Sequence, residues 1–137
     1  MALKLRLVKN GDVLFEIPLN VESWPKNELK DELERFEDEF DRFSSFFDAL
    51  SNMGRLRMMK RLFEDDDLTL SFADFMRELG LNPKIVWEST RKLTQCGLME
   101  KSEDGKYRCS QHGQAEFLMV SLALSRLLRV LQDFEEW

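Results

Sequence analysis

Two helix starts and two helix stops fall within the twenty-seven residues from Ser71 to Gly97. Ser71 is a side-chain cap with Asp74 three positions on, the reciprocal pattern that satisfies free N–H groups at a helix N-terminus. Phe72, Phe75, Met76 and Leu79 then recur at helical spacing until Gly80 stops the helix. After the turn Gly80-Leu81-Asn82, Asn82 is a second cap, and Pro83 takes the first helical position, where no backbone donor is needed. The second helix runs to about Cys96 and ends at Gly97. Helical spacing turns Lys84, Trp87, Glu88, Arg91 and Gln95 outward on it, and Val86, Thr90 and Leu93 inward. The rest of the chain has to be placed around this pair of short helices.

Upstream, Ala49 to Phe63 reads as a helix ended by the acidic tract Glu64-Asp65-Asp66-Asp67, and Leu68-Thr69-Leu70 as a very short strand. Downstream, Leu98–Ser102 and Lys106–Ser110 read as two short strands joined at Glu103-Asp104-Gly105. Ser110 caps a final helix that reaches the C-terminus. Helix, strand, helix, tight turn, helix and two-stranded hairpin is the order of a winged helix-turn-helix. Such a unit holds one short helix rigidly so that it enters a DNA major groove, while the hairpin reaches the flanking backbone.

The N-terminal residues follow other patterns. Leu3, Leu5 and Leu7, then Val13, Phe15 and Ile17, alternate with charged residues on either side of Lys9-Asn10-Gly11-Asp12. Asn-Gly tolerates the positive φ angles of a type I′ turn, so residues 3–19 predict a β-hairpin. A lone hairpin is marginal in water, and its apolar face needs a surface to dock on. Beyond Pro25, Leu29, Leu33, Phe36, Phe40, Phe43, Phe47 and Leu50 at steps of four and three predict one acidic amphipathic helix from about Asn27 to Leu50. Residues 1–48 carry seven basic and twelve acidic side chains, whereas residues 49–137 carry thirteen and fourteen.

At 137 residues the chain is expected to form one domain with an appended arm, and the large α/β enzyme folds do not fit. The net charge of −6 argues against a nonspecific nucleic-acid coat. Two cysteines, Cys96 and Cys109, are too few for a secreted disulfide scaffold, so a reducing cytoplasm is expected. The charged N-terminus does not read as a signal peptide. Phe117 to Leu131, the most apolar stretch, is interrupted by Arg126 and Arg129 and is shorter than the roughly 20 residues of a membrane span. The expectation is a mainly α (α+β) chain: a β-hairpin arm and linker at 1–26, an acidic helix at 27–47, a winged helix-turn-helix at 48–115 and a C-terminal helix at 116–137.

The wording of several segments adds to their order. Ala49-Leu50-Ser51-Asn52-Met53-Gly54-Arg55-Leu56-Arg57-Met58-Met59 resembles the first-helix signature of ArsR-type winged-helix regulators. Phe75 to Asn82 looks like their helix-turn-helix junction, and Arg91 to Lys101 is similar to the end of their recognition helix running into the wing. Asp104-Gly105-Lys106-Tyr107-Arg108 is similar to the wing tip, and Ser110-Gln111-His112-Gly113 to the start of the next helix. The resemblance covers roughly residues 48–115, and archaeal members of the group come closest in wording.

The resemblance implies a homodimeric transcriptional regulator of the cytoplasm and nucleoid that binds double-stranded DNA, with a recognition helix at 82–96 and a wing at 98–110. It places Lys84, Trp87, Glu88, Ser89 and Arg91 toward DNA, with Lys106 and Arg108 in the wing. Lys84, Arg91, Lys92, Lys106 and Arg108 are the expected phosphate contacts, and Gln95 completes the outward face. Trp87-Glu88 departs from the polar or basic residues expected at the centre of that face. Glu88 accepts from a cytosine amino group but repels nearby phosphate, and an exposed Trp often anchors a protein interface. Residues 82–112 carry six basic and four acidic side chains, a faint positive field. The alternative is therefore a winged-helix protein-docking module anchored on Trp87.

In the final helix, Phe117, Val120, Leu124, Leu127, Leu131 and Phe134 fill three- and four-residue steps, with Leu118, Leu122 and Leu128 adding a second apolar face. The first set is expected to be a homodimer seam, unless the Phe-rich stripe of residues 29–50 covers this helix within one chain. A further protein partner could meet the acidic helix. Cys96, Cys109 and His112 lack the Cys-x-Cys pair typical of ArsR-type metal sensors, so packing thiols and no bound metal or cofactor are expected. Glu64 to Asp67 lacks the spaced ligands and glycine of a calcium loop. With one histidine and no nucleophile or phosphate-cradling motif, an enzyme is not expected.

Overall fold

The computed structural model describes residues 3–133, and among them helices predominate, with a two-stranded hairpin and a separate three-stranded sheet. The chain divides into two compact units, Met1–Phe40 with Leu128–Trp137 and Asp41–Leu127. Residues 26, 47 and 115, after which segment boundaries were expected, each lie in a helix.

In the first unit, β1 (Lys4–Lys9) pairs antiparallel with β2 (Asp12–Pro18). The turn takes φ of 51° at Asn10 and 88° at Gly11, the left-handed pair that this dipeptide tolerates. Glu16 accepts from Lys4 at 2.9 Å and from Arg6 at 3.2 Å, and the Lys4 contact leads in lowering its carboxyl pKa. A register shift between Leu7 and Val8 interrupts the alternation. Leu7, Val8, Val13 and Phe15 stay exposed, and Trp24 Nε1 donates to the Pro18 carbonyl at 2.8 Å. The 13-residue helix α1 (Lys26–Asp38) starts directly after Pro25.

The single helix expected from Asn27 to Leu50 is two. At Glu39 the backbone turns to φ −97°, ψ 10°, and a new helix, α2 (Phe40–Leu50), begins. Glu37, Asp38, Glu39 and Asp41 crowd four carboxylates into five positions. Continuous helix sets like charges side by side, whereas a break puts Asp41 in the first turn of α2, where the helix dipole favours it. The four-three spacing runs through the break unchanged.

A second interruption replaces the helix expected from Ala49 to Phe63. Asn52 accepts from Arg55 N at 3.1 Å and starts α3 (Met53–Glu64). Arg55 closes the gap by donating to the carbonyls of Ala49 at 2.7 Å and Asp48 at 2.9 Å, groups a continuous helix would have satisfied along its own axis. Then come β3 (Thr69–Leu70), α4 (Phe72–Leu79), α5 (Pro83–Gln95), β4 (Glu100–Lys101), β5 (Tyr107–Arg108) and α6 (Gln111–Leu118). The sheet order is β3-β5-β4, antiparallel throughout. Met58, Met59 and Leu62 of α3 form the core with Phe75, Val86, Leu93 and Leu98. Tyr107 lies with its ring centre 6.2 Å from that of Phe75. Gly113 brings α6 so close that a Cβ there would stand 2.8 Å from the Leu98 carbonyl oxygen.

The start of α4 is a complete capping box: Ser71 Oγ accepts from Asp74 N at 3.0 Å, and Asp74 accepts from Ser71 N at 3.0 Å. The Ser71 backbone donor is the leading cause of the lowered Asp74 pKa. Ser71→Ala should cost about 1 kcal/mol of unfolding free energy. Asp74→Asn should destabilise at neutral pH, and the difference should close as pH falls through the lowered pKa of the folded state. A folded pKa below the unfolded one stabilises only while the group is ionised. Denaturant titrations at several pH values read both effects.

The final helix is not uniform. Between α6 and α7 (Leu124–Gln132), residues Met119–Ala123 form a π turn. Ser121 Oγ donates to the Phe117 carbonyl at 2.5 Å, at the start of this widened turn. One extra residue rotates everything downstream by about 100° relative to an α-helix. Phe117 and Val120 therefore leave the line of Leu124, Leu127 and Leu131. Phe117 is only 7% exposed, with its ring centre 4.9 Å from that of Phe63. It is a core residue of its own chain, not part of a dimer seam. Val120, Leu127 and Leu131 are half-buried, Leu118, Leu122, Leu124 and Leu128 are exposed, and Phe134 lies outside the described residues. Among the described residues no helix is long and apolar enough to cross a membrane.

Candidate nucleic-acid interface

The local sequence fixes α5 at both ends. Gly80, at φ 64°, closes α4, and Leu81 N donates back to the Met76 carbonyl at 3.2 Å. Asn82 Oδ1 accepts from Ile85 N at 2.9 Å, with Pro83 as the first helical residue. Val86 and Leu93 are fully buried, and Thr90 is buried with its hydroxyl donating to the Val86 carbonyl at 2.8 Å. These anchors leave Lys84, Trp87, Glu88, Arg91, Lys92 and Gln95 exposed. Ser89 is the exception among the expected contacts. At 5% exposure it belongs to the inward stripe, one step ahead of Thr90 and three after Val86, and it faces protein rather than a partner.

The exposed face differs in how free its charges are. The Arg91 guanidinium lies 5.2 Å from the centre of the Trp87 ring, a cation–π contact that holds both side chains together. Trp87 nevertheless remains 54% exposed, and Ile85 beside it is also exposed. Lys92 pairs with Asp48 of α2 at 3.1 Å, and Arg108 of β5 pairs with Glu100 of β4 at 2.7 Å. Lys84, Arg91 and Lys106 make no ion pair among the described residues.

The hairpin beside α5 is built around Gly105, at φ 84°. Asp104 accepts from Ser102 Oγ and, at 3.1 Å, from Lys106 N. The Ser102 hydroxyl is the leading cause of its lowered pKa, so the hairpin tip carries a carboxylate next to Lys106. Lys101 Nζ lies 5.8 Å from the centre of the Tyr107 ring. Between hairpin and helix is a cleft of about 260 Å³ lined by Trp87, Arg91, Gln95, Lys101 and Tyr107 among others. Lys101 and Tyr107 escape a sequence-level search because neither strand shows which residues turn toward α5. Pairing of Lys101 with Tyr107 across β4 and β5 is what brings them together.

Both cysteines are free. Burial raises the Cys109 pKa to about 11, and its thiol donates to the Leu98 carbonyl at 3.4 Å. Cys96 is half-buried, also raised chiefly by burial, and donates to the Leu93 carbonyl at 3.4 Å. His112 pairs with Glu116 at 2.6 Å, and no group of metal-ligating side chains is assembled among the described residues. No protein-family model matches the chain, and neither does any curated protein.

Proposed function

We propose that the chain is an ArsR-like winged helix-turn-helix regulator of transcription that acts at the nucleoid. In this reading a homodimer binds double-stranded DNA with α5 in the major groove and the β4–β5 hairpin on the backbone. The observation that carries it is the two-sided construction of α5. One face is locked into the core by Val86, Thr90 and Leu93, and the other presents Lys84, Trp87, Glu88, Arg91 and Gln95 to solvent. Lys106 on the adjacent hairpin joins Lys84 and Arg91 as the third cation that makes no ion pair among the described residues, and the reading gives these three the phosphate contacts.

Fluorescence anisotropy with labelled duplexes, including the protein's own upstream region, tests this at two salt concentrations. Three phosphate-contacting cations per protomer, six per dimer, predict a log–log salt slope of about −5. A second reading, docking of a protein onto Trp87 and Ile85, is favoured by the exposure of that apolar pair. Absence of duplex binding at low salt would select it.

The dimer is assigned to Leu124, Leu127 and Leu131 with exposed Leu128, on the straight α-helical segment beyond the π turn. Leu124→Asp with Leu127→Asp should convert it to monomers by sedimentation velocity. An unchanged profile would remove this helix from the interface.

A further inference from the structure

Glu88 is the only carboxylate in the sequence of α5. It is exposed, and it makes no ion pair among the described residues. Lys84, four positions earlier, and Arg91, three positions later, are the helical neighbours with which a glutamate ordinarily pairs. Neither does so, and the Arg91 guanidinium lies over the Trp87 ring instead. Ser89 and Thr90, buried directly after Glu88, lock the rotation of the helix, so the carboxylate stays on the exposed face with both cations. On a helix in the groove of a polyanion, such a carboxylate is repelled by the phosphates on either side. Only a donor on a base edge offsets that repulsion. In an A·T pair the adenine amino group is flanked by two acceptors, adenine N7 and thymine O4. In a C·G pair the cytosine amino group has an acceptor on one side only, guanine O6.

We propose that Glu88 sets the base preference of the chain by accepting from the N4 amino group of one cytosine in each half-site. This inference rests on the reading of α5 as a DNA-recognition helix. The carboxylate selects as much by exclusion as by attraction. Toward guanine or thymine it meets only acceptors, and an unpaired charge held against them weakens the complex. Generic duplex is bound in spite of Glu88, and the preferred site is bound with its help.

Selection of the full chain on a randomised duplex library, followed by anisotropy titration of the enriched duplexes, tests this. The native chain should enrich one cytosine per half-site. Glu88→Gln should replace that cytosine by adenine, which glutamine pairs bidentately, and leave the rest of the motif unchanged. Changing that C·G pair to T·A should weaken the native chain by about tenfold or more, and Glu88→Ala by less than about twofold. On a duplex lacking the motif, Glu88→Gln should bind about threefold more tightly than the native chain, at an unchanged salt slope, because no phosphate contact is gained or lost. Glu88 is exposed, so both variants should keep the native thermal melt. A motif identical for the native chain and Glu88→Gln would overturn this inference and leave duplex binding by α5 standing. So would a Glu88-dependent position at which the native chain prefers a base other than cytosine. No binding of the native chain to any duplex at low salt would remove both.

Discussion

Arg91→Glu combined with Lys106→Glu is expected to weaken duplex binding by about a thousandfold while leaving helicity and oligomeric state unchanged. Each protomer of the proposed dimer loses two cations that make no ion pair among the described residues, four in all. At about 1 kcal/mol per charge-assisted phosphate contact, four lost contacts amount to roughly three powers of ten before any repulsion is counted. The salt slope should fall by about four. Lys92→Glu is the internal contrast. Lys92 is already engaged by Asp48 at 3.1 Å and points its charge toward α2, so its reversal should cost less than about tenfold. Anisotropy titrations of the three proteins side by side give the ordering. Equal losses for Lys92→Glu and the double variant would mean that general electrostatics, not the Arg91–Lys106 surface, governs binding.

The same logic of local against long-range information separates what the sequence disclosed from what it hid. The caps at Ser71, Asn82 and Ser110, the stops at Gly80 and Gly97 and the turn at Asn10-Gly11 were all legible. Each is a property of one or two side chains acting on backbone within three residues of themselves. The breaks at Glu39 and before Met53 were not, because hydrophobic periodicity continues across a one- or two-residue gap. Asn52, a good cap three residues before Arg55, was the available signal for the second break. The π turn was hidden for a related reason: three- and four-residue steps suit an uninterrupted helix equally well, and Phe117 was misplaced accordingly.

The candidate site divides in the same way. Spacing alone identified the outward and inward faces of α5. Ser89 was assigned outward by resemblance, although Val86, Ser89, Thr90 and Leu93 form an inward stripe at steps of three and four. The pairing states of Lys92 and Arg108, the Arg91–Trp87 contact and the placement of Lys101 depend on residues brought together by folding, such as Asp48, 44 positions from Lys92. No local pattern encodes such encounters.

Phe75→Ala should be the most damaging single substitution for stability, at about 3–5 kcal/mol. The ring is fully buried on α4, and its removal takes away both the transfer energy of the side chain and the packing of its neighbours. Tyr107 is the neighbour that links this effect to the proposed DNA-binding surface. Its ring packs at 6.2 Å from Phe75 on one side, and on the other the Lys101 ammonium lies over it at 5.8 Å. Tyr107 also pairs with Leu70 and Lys101, making β5 the central strand of the sheet. A cavity at Phe75 therefore loosens the element that holds the hairpin against α5. Guanidinium titration should show the stability loss. In the fraction still folded, hydrogen exchange should rise at the amides of β5 while those in the hairpin β1–β2 keep their protection, since that hairpin belongs to the other unit. Phe75→Leu should recover more than half of the loss, because it restores most of the buried volume. If Phe75→Ala costs less than about 1 kcal/mol, the α4–β5 packing is not what holds this core together.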